Sequence, residues 1–147
     1  GIDGLILPDV PFEEKEEFQS VCDAHGVALI SLVAPTSRER ITMIAREAAG
    51  FIYLVSSLGV TGTRTEIRTD LDAIVAQIRE QTDVPVAIGF GVSSPKQARQ
   101  MAQSADGVIV GSAIVKLVGR HGIKAAGPVG AFVREMVEAV RPAGRTA

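Results

Sequence analysis

Three glycine-rich segments that also contain serine or threonine are the strongest candidates for a functional site in this sequence. They occupy residues 56–63, 89–94 and 111–115. Glycine lets backbone N–H groups approach an oxyanion closely, and a serine or threonine adds a hydroxyl donor. Segments of this composition can bind a phosphate group without a lysine or arginine. A single glycine after a strand is more often a tight turn, so this prediction depends on three such segments occurring together.

Two single residues could also contribute to a site. Asp9 lies between Pro8 and Pro11, which stiffen the chain around it; as an isolated acid it is typical of a turn or a helix cap. Tyr53 is the only tyrosine and lies inside an apolar run. Its hydroxyl needs a partner if it is buried. The ring could belong to the core or could line a pocket for an aromatic ligand.

Short apolar runs alternate with amphipathic segments along the whole chain. The runs are continuous rather than alternating in polarity, which is typical of parallel strands buried on both faces. We predict strands at residues 4–7, 28–33, 51–55, 84–88 and 107–110. Helical spacing predicts helices at residues 12–25, 37–48, 70–81 and 95–105, with a terminal helix at 129–140. This order predicts an α/β fold with parallel strands joined by right-handed crossovers.

Residues at the helix boundaries support this division. Ser93 or Ser94, followed by Pro95, is typical of a helix start, and Thr36 or Ser37 can cap the second helix. Gly26 and Gly50 each follow a predicted helix and precede a strand, as expected of a C-terminal glycine in the left-handed conformation.

Two architectures are compatible with five such units. One is an open doubly wound sheet of the flavodoxin type, and the other is part of an eight-stranded barrel, which takes about 250 residues when complete. Ligands bind beyond the carboxyl ends of the strands in both. The three glycine-rich segments all follow predicted strands, so we expect them at that edge.

Composition restricts the class of protein. The 147 residues are 46% apolar and 22% charged with a formal net charge of −2, which is typical of one globular domain and gives no basic surface for nucleic acid. No apolar run approaches the roughly 18 residues of a membrane span, so we expect neither membrane nor nucleic-acid partners. A lone Cys22 favours a reducing compartment, the cytoplasm. The first residue is Gly1 rather than methionine.

Four motifs, in order, resemble the α subunit of tryptophan synthase. They are residues 7–11 with the following glutamates, residues 53–56 with 59–62, residues 89–95, and residues 111–115. The resemblance runs from the first residue to about Val140. It implies part of a (β/α)8 barrel that cleaves indole-3-glycerol phosphate, by a retro-aldol reaction, to indole and glyceraldehyde 3-phosphate.

The resemblance also implies roles for individual residues. Gly62, Gly91, Gly111 and Ser112 match phosphate-binding positions. Tyr53 and Phe90 match residues around the indole ring. Gly59 and Thr61 belong to a lid. Asp9 matches a position near the interface with the β subunit, where its implied role is communication between the subunits rather than catalysis. The β subunit is the expected partner and holds the pyridoxal phosphate, so no cofactor is expected in the α chain.

One departure from the family pattern is large. The two catalytic carboxylates of the family, a glutamate and an aspartate, belong to the second strand of the barrel and the residues after it, whereas this sequence begins near strand four. We therefore expect residues 1–147 to be the carboxyl-terminal part of a single barrel domain, without strands one to three. We also expect the chain alone to be inactive.

Two alternatives remain open at this point. One is another phosphate-binding barrel, such as indole-3-glycerol-phosphate synthase or phosphoribosylanthranilate isomerase. The other is a complete flavodoxin-like domain that binds a phosphate or nucleotide without catalysis. The order of strands in the sheet distinguishes a barrel, with sequential neighbours, from a doubly wound sheet, with a reversal.

Overall fold

The sheet consists of five parallel strands in sequential order. The computed structural model describes residues 1–56 and 71–141. Its strands are β1 (Gly4–Ile6), β2 (Ala28–Val33), β3 (Ile52–Val55), β4 (Val86–Gly89) and β5 (Gly107–Val108). They lie side by side in the order β1-β2-β3-β4-β5. Sequential neighbours confirm the arc of a barrel, and the flavodoxin-like alternative is wrong because it requires a reversal of strand order.

Helices follow each strand. A short 3-10 helix (Phe12–Glu14) precedes α1 (Glu16–Ala24), so the helix predicted over residues 12–25 begins with a tighter turn. The remaining helices are α2 (Arg38–Arg46), α3 (Leu71–Arg79), α4 (Pro95–Met101), α5 (Ser112–His121) and α6 (Ala126–Val140), with a second 3-10 helix (Gly122–Lys124) before α6.

Helix α5 is absent from the sequence-based prediction, which treats residues 111–115 as a loop. Ser112 is instead its first residue. Ile114, Leu117 and Val118 do recur at helical spacing, but the prediction assigned residues 111–115 to a loop because Gly111 and Ser112 begin that segment. No residue of α5 is buried, and Val115 and Val118 are exposed.

The predicted helix boundaries are confirmed at three of four positions. The Ser37 side chain accepts from the Arg40 amide and caps α2. Ser94 does the same for α4, with Pro95 in the first turn. Gly26 directly follows the C-cap of α1 and has a φ of 65°, a conformation that only glycine adopts at little cost. Gly50 also has a positive φ of 68°, but α2 ends at Arg46 with Glu47 as its C-cap, so the prediction of Gly50 as a C-terminal glycine is wrong and the residue lies in the loop before β3.

The core lies between one face of the sheet and the helices. Ile52 and Leu54 of β3, like Ile88 of β4, are fully buried there and pack with Ile41 and Ile44 of α2 and Ile78 of α3. Residues of alternate parity point to the other face of a strand. Tyr53 and Val55 therefore lie on the opposite face, where they are only half-buried. In a barrel this second face is the interior.

Candidate functional site

The carboxyl ends of β3 and β4 form the most closely packed part of the candidate site. Val55 pairs with Gly89 in the ladder, and the ring of Tyr53 crosses in front of Gly89. A β-carbon built on Gly89 would overlap the Tyr53 Oη and lie 2.7 Å from its Cζ. Real β-carbons do not approach other atoms so closely, so the position of the tyrosine ring requires glycine at residue 89.

Phe90 follows Gly89 with an unusual backbone conformation. Its φ of 79° is the one positive value at a non-glycine residue in the described part of the chain, and a left-handed conformation costs a residue with a β-carbon about 1–2 kcal/mol. Gly91 continues the turn at φ 80°. The Phe90 side chain is 56% exposed, so its ring is available to a ligand.

Ser56, at the end of β3, bonds to this turn through two donors. Its amide donates to the Gly89 carbonyl at 3.0 Å, and its hydroxyl donates to the Phe90 carbonyl at 2.6 Å. Strained backbone persists only where surrounding contacts hold it. The two bonds from Ser56 are contacts of that kind.

The turn leads into α4 through a small polar network. The Gln97 Oε1 accepts from the Ser93 amide at 2.9 Å and from the Ser93 and Ser94 hydroxyls at 3.1 Å and 3.2 Å. Ser94 in turn accepts from the Gln97 amide. This arrangement resembles a capping box, and it holds the end of the glycine-rich segment on the first turn of α4.

The start of α5 provides unused hydrogen-bond donors at the same edge of the sheet. Gly111 precedes the helix and makes no side-chain cap; a β-carbon there would meet nothing within 4 Å. The first N–H groups of a helix lack partners inside the helix and attract anions. Phe90 and Gly111 follow the last paired residues of neighbouring strands, Ile88 and Val108. The structure therefore brings Tyr53, Phe90, Gly91, Gly111 and Ser112 to one edge of the sheet.

Asp9 is not part of this group. It is exposed in the turn after β1, and β1 lies three strands away from β4, about 14 Å at the usual strand spacing. The neighbouring acid Glu13 forms a bidentate ion pair with Arg40 of α2. The hydrogen bond from Arg40 lowers the pKa of Glu13, so this carboxylate is occupied by an ion pair.

The other predicted site residues, Gly59, Thr61 and Gly62, lie outside the described residues. Within residues 1–56 and 71–141, no group of three histidine, cysteine or acidic side chains is placed to hold a metal ion. No helix in the same ranges is long and apolar enough to cross a membrane.

Two residues that hold the site together were not among the predicted site residues. Gly89 lies within a predicted glycine-rich segment, but its role depends on the tyrosine ring of a neighbouring strand. Ser56 lies at the start of another such segment, and its hydroxyl reaches a carbonyl 34 residues away. The position of Gly89 at the end of an apolar run was the sequence signal that could have identified it. The sequence contains no such signal for Ser56.

Comparison with known proteins identifies one family. The family model described as the tryptophan synthase alpha chain matches residues 1–141. The tryptophan synthase alpha chain of Lactiplantibacillus plantarum is 54% identical to this chain, over 98% of this chain and 54% of its own length.

Solved structures of high similarity have the same fold. The tryptophan synthase subunit alpha of Campylobacter jejuni matches with a TM-score of 0.79 and 36% identity, over 92% of this chain and 54% of its own. A structure described as the tryptophan synthase a2b2 complex from Pyrococcus furiosus matches with a TM-score of 0.79 and 34% identity, over 94% of this chain and 56% of the matched chain. This chain thus spans about half the length of the proteins that it matches.

Proposed function

Because this chain belongs to the tryptophan synthase alpha chain family, we propose that it serves the aldol-type cleavage of indole-3-glycerol phosphate to indole and glyceraldehyde 3-phosphate. In this proposal the chain supplies the phosphate-binding and indole-binding side of the site. The activity belongs to the lyase class and to tryptophan biosynthesis.

The observation that carries the proposal is that Tyr53, Phe90 and the uncapped start of α5 belong to neighbouring strands β3, β4 and β5 and the residues that follow them. Tyr53 and Phe90 offer flat apolar surfaces of the kind that an indole ring packs against. Gly111 and Ser112 offer backbone N–H groups and a hydroxyl to a phosphate, and the dipole of α5 favours its negative charge. Gly91, in the turn after Phe90, is a further phosphate contact in this proposal.

The proposed lid and partner rest on the resemblance of the motifs. We assign Gly62 to the phosphate, and Gly59 and Thr61 to a lid over the bound substrate. Asp9, exposed on a proline-bounded turn, is assigned to communication with a β subunit that holds pyridoxal phosphate. The α chain itself needs no cofactor for the cleavage. A cytoplasmic location is part of the same proposal, and the free, buried Cys22 is compatible with it.

The proposed general acid and base lie outside this sequence. None of the residues gathered at the site, Tyr53, Ser56, Phe90, Gly91, Gly111 and Ser112, is acidic. Loss of a general acid or base costs about 10² to 10⁴ in rate. We therefore propose that the glutamate and aspartate of the reaction belong to the part of the family's barrel that this chain does not span.

The activity test uses the 147-residue chain and indole-3-glycerol phosphate. We expect no release of indole, and release that copurifies with the chain would contradict the assignment of the acid and base to other residues. Binding of uncleaved substrate can then be measured at equilibrium by calorimetry.

The binding test compares two serine variants. Ser112→Ala removes a hydroxyl proposed to donate to the phosphate and should raise the Kd about tenfold, as expected for a bond to a charged group. Ser20→Ala, on the exposed surface of α1, is the matched control and should leave the Kd unchanged. Equal affinities for all three proteins would contradict the phosphate site, and so would a failure of the unmodified chain to bind.

The partner assignment has its own test. Asp9→Ala should weaken binding of the chain to a tryptophan synthase β subunit in a pull-down titration, whereas Asp83→Ala, at an exposed acid between α3 and β4, should not. Identical binding by both variants would contradict the role of Asp9.

A further inference from the structure

A single residue at the end of β3, Ser56, bonds to the turn after β4. Ser56 donates its amide to the Gly89 carbonyl at 3.0 Å and its hydroxyl to the Phe90 carbonyl at 2.6 Å. The first bond is an ordinary ladder bond between the two strands and belongs to the Val55–Gly89 pair. The second bond is not a ladder bond, because it comes from a side chain and reaches the residue whose backbone is left-handed.

Phe90 needs such a contact. Its φ of 79° is unfavourable for any residue with a β-carbon, and a side chain that is 56% exposed has little packing of its own to offset that cost. The residues on either side are constrained differently. Gly89 is fixed by the Tyr53 ring, and Val92 is anchored by burial, at 2% exposure.

We propose that Ser56 is a positioning residue for the candidate site. Its hydroxyl holds the Phe90 backbone in the left-handed conformation and thereby directs the Phe90 ring to the place where it meets the indole of the substrate. The direction of the ring toward indole rests on the function proposed above; the control of the Phe90 backbone does not.

Ser56 also occupies a particular place in the chain. It lies three residues before Gly59 in the sequence, ahead of Thr61 and Gly62. A residue that bonds to the Phe90 turn therefore adjoins the proposed lid. The chemistry required at position 56 is one hydroxyl donor, which threonine supplies and alanine does not.

The first experiment observes the Phe90 backbone without any ligand. The 147-residue chain is labelled with ¹⁵N and ¹³C, and the three-bond amide coupling and the ¹³Cα and ¹³Cβ shifts of Phe90 are measured by NMR. Ser56→Ala should move these values away from those of a left-handed residue, and Ser56→Thr should restore them. Unchanged Phe90 signals in Ser56→Ala would overturn the proposal.

The second experiment connects the backbone to ligand binding. Ser56→Ala should weaken binding of indole-3-glycerol phosphate about fivefold, the usual worth of one hydrogen bond, while leaving the affinity for inorganic phosphate unchanged. A general loss of structure would weaken both. If the unmodified chain does not bind indole-3-glycerol phosphate, the proposed function fails and the NMR result still tests the role of Ser56. If it binds and Ser56→Ala binds equally well, the link to the ligand is overturned.

A glycine at position 90 provides a test that tolerates poor folding of Ser56→Ala. When the Ser56 hydroxyl is removed, the Phe90 backbone can relax from its strained φ of 79° and recover part of the lost stability. Glycine has no such strain to release, so in a Phe90→Gly background the loss of the hydroxyl should lower the urea midpoint more than it does in the unmodified chain. Equal reductions in the two backgrounds would show that the hydroxyl does not act through the Phe90 conformation, and would overturn the proposal.

Discussion

The turns that follow β4 and β1 both leave the carboxyl edge of the sheet, yet they are held very differently. After β4, a buried glycine lies against a tyrosine ring, and Ser56 bonds to the carbonyls of this glycine and of Phe90. After β1, the turn has one bond of 3.3 Å from the Val10 amide to the Leu7 carbonyl, and Asp9 is exposed.

The side chains beneath the β4 turn are also packed more tightly than those beneath the β1 turn. The strands that lead to the β4 turn contain Ile52, Leu54 and Ile88, all fully buried. Beneath the β1 turn lies a cavity of ≈ 60 Å³ lined mostly by apolar residues, among them Leu7, Val10 and Phe12. Ile6 of β1 is 41% exposed. The end of β4 therefore has no space for one additional carbon atom, whereas the end of β1 contains unfilled space.

The largest expected effect comes from truncating the same residue type in the two regions. Ile52→Ala in β3 removes a fully buried side chain and should lower the free energy of unfolding by about 3–4 kcal/mol, because the site cannot collapse around the void. Ile6→Ala in β1 should cost less than about 1.5 kcal/mol, since its side chain is already partly in water. Urea unfolding measures both, and equal losses would contradict the comparison.

Adding one carbon atom tests the same contrast from the other side. Gly89→Ala places a β-carbon against the Tyr53 ring and should destabilise the chain by about 2 kcal/mol, a typical cost of overpacking. Gly107→Ala in the adjacent strand is the control. Its β-carbon would lie 3.6 Å from the Ala87 Cβ, an ordinary contact, so its urea midpoint should change little. A harmless Gly89→Ala would show that the ring can move aside.

A smaller, pH-dependent effect on stability is expected from Asp106, just before β5. The amide of Val86 donates to Asp106 at 2.9 Å and Arg79 donates to the other oxygen at 3.0 Å. These bonds, the Val86 amide first, lower the pKa of Asp106. A carboxyl whose pKa is lower in the folded state stabilises the fold at pH above its ordinary value, about 4, and loses that contribution as the pH falls through the lowered pKa.

Asp106→Asn should therefore lower the free energy of unfolding by about 1 kcal/mol or less at pH 7, because the side chain is 48% exposed and water screens the ion pair. In urea unfolding at a series of pH values, the difference in stability from the unmodified chain should shrink below about pH 4. Asp83→Asn, at an exposed acid in the loop between α3 and β4, is the control. A difference that is independent of pH would exclude the carboxylate as its source.

The smallest effect is expected beside the β1 turn. Glu13→Gln breaks an exposed ion pair with Arg40, and exposed pairs contribute little because salt and water screen them. We expect no measurable shift of the urea midpoint at physiological salt. A clear shift would mean that the Glu13–Arg40 pair holds the β1 turn more firmly than its exposure indicates.

The sequence predicted the fold well wherever the pattern is local. All five strands occur within two residues of their predicted bounds, and the caps at Ser37 and Ser94 occur as predicted, because apolar runs and capping side chains act within one turn or strand. Helix α5 was missed although Ile114, Leu117 and Val118 recur at helical spacing, because Gly111 and Ser112 led to the interpretation of residues 111–115 as a loop.

The arrangement at the site could not be predicted in the same way. The fit of the Tyr53 ring against Gly89 and the bond from Ser56 to Phe90 join residues more than 30 positions apart, and nothing in either segment specifies the other. Likewise, the alternation of strands and helices indicated parallel strands but was compatible with both a barrel and a doubly wound sheet. Strand order is a property of pairing between distant segments, so the choice between them required the folded chain.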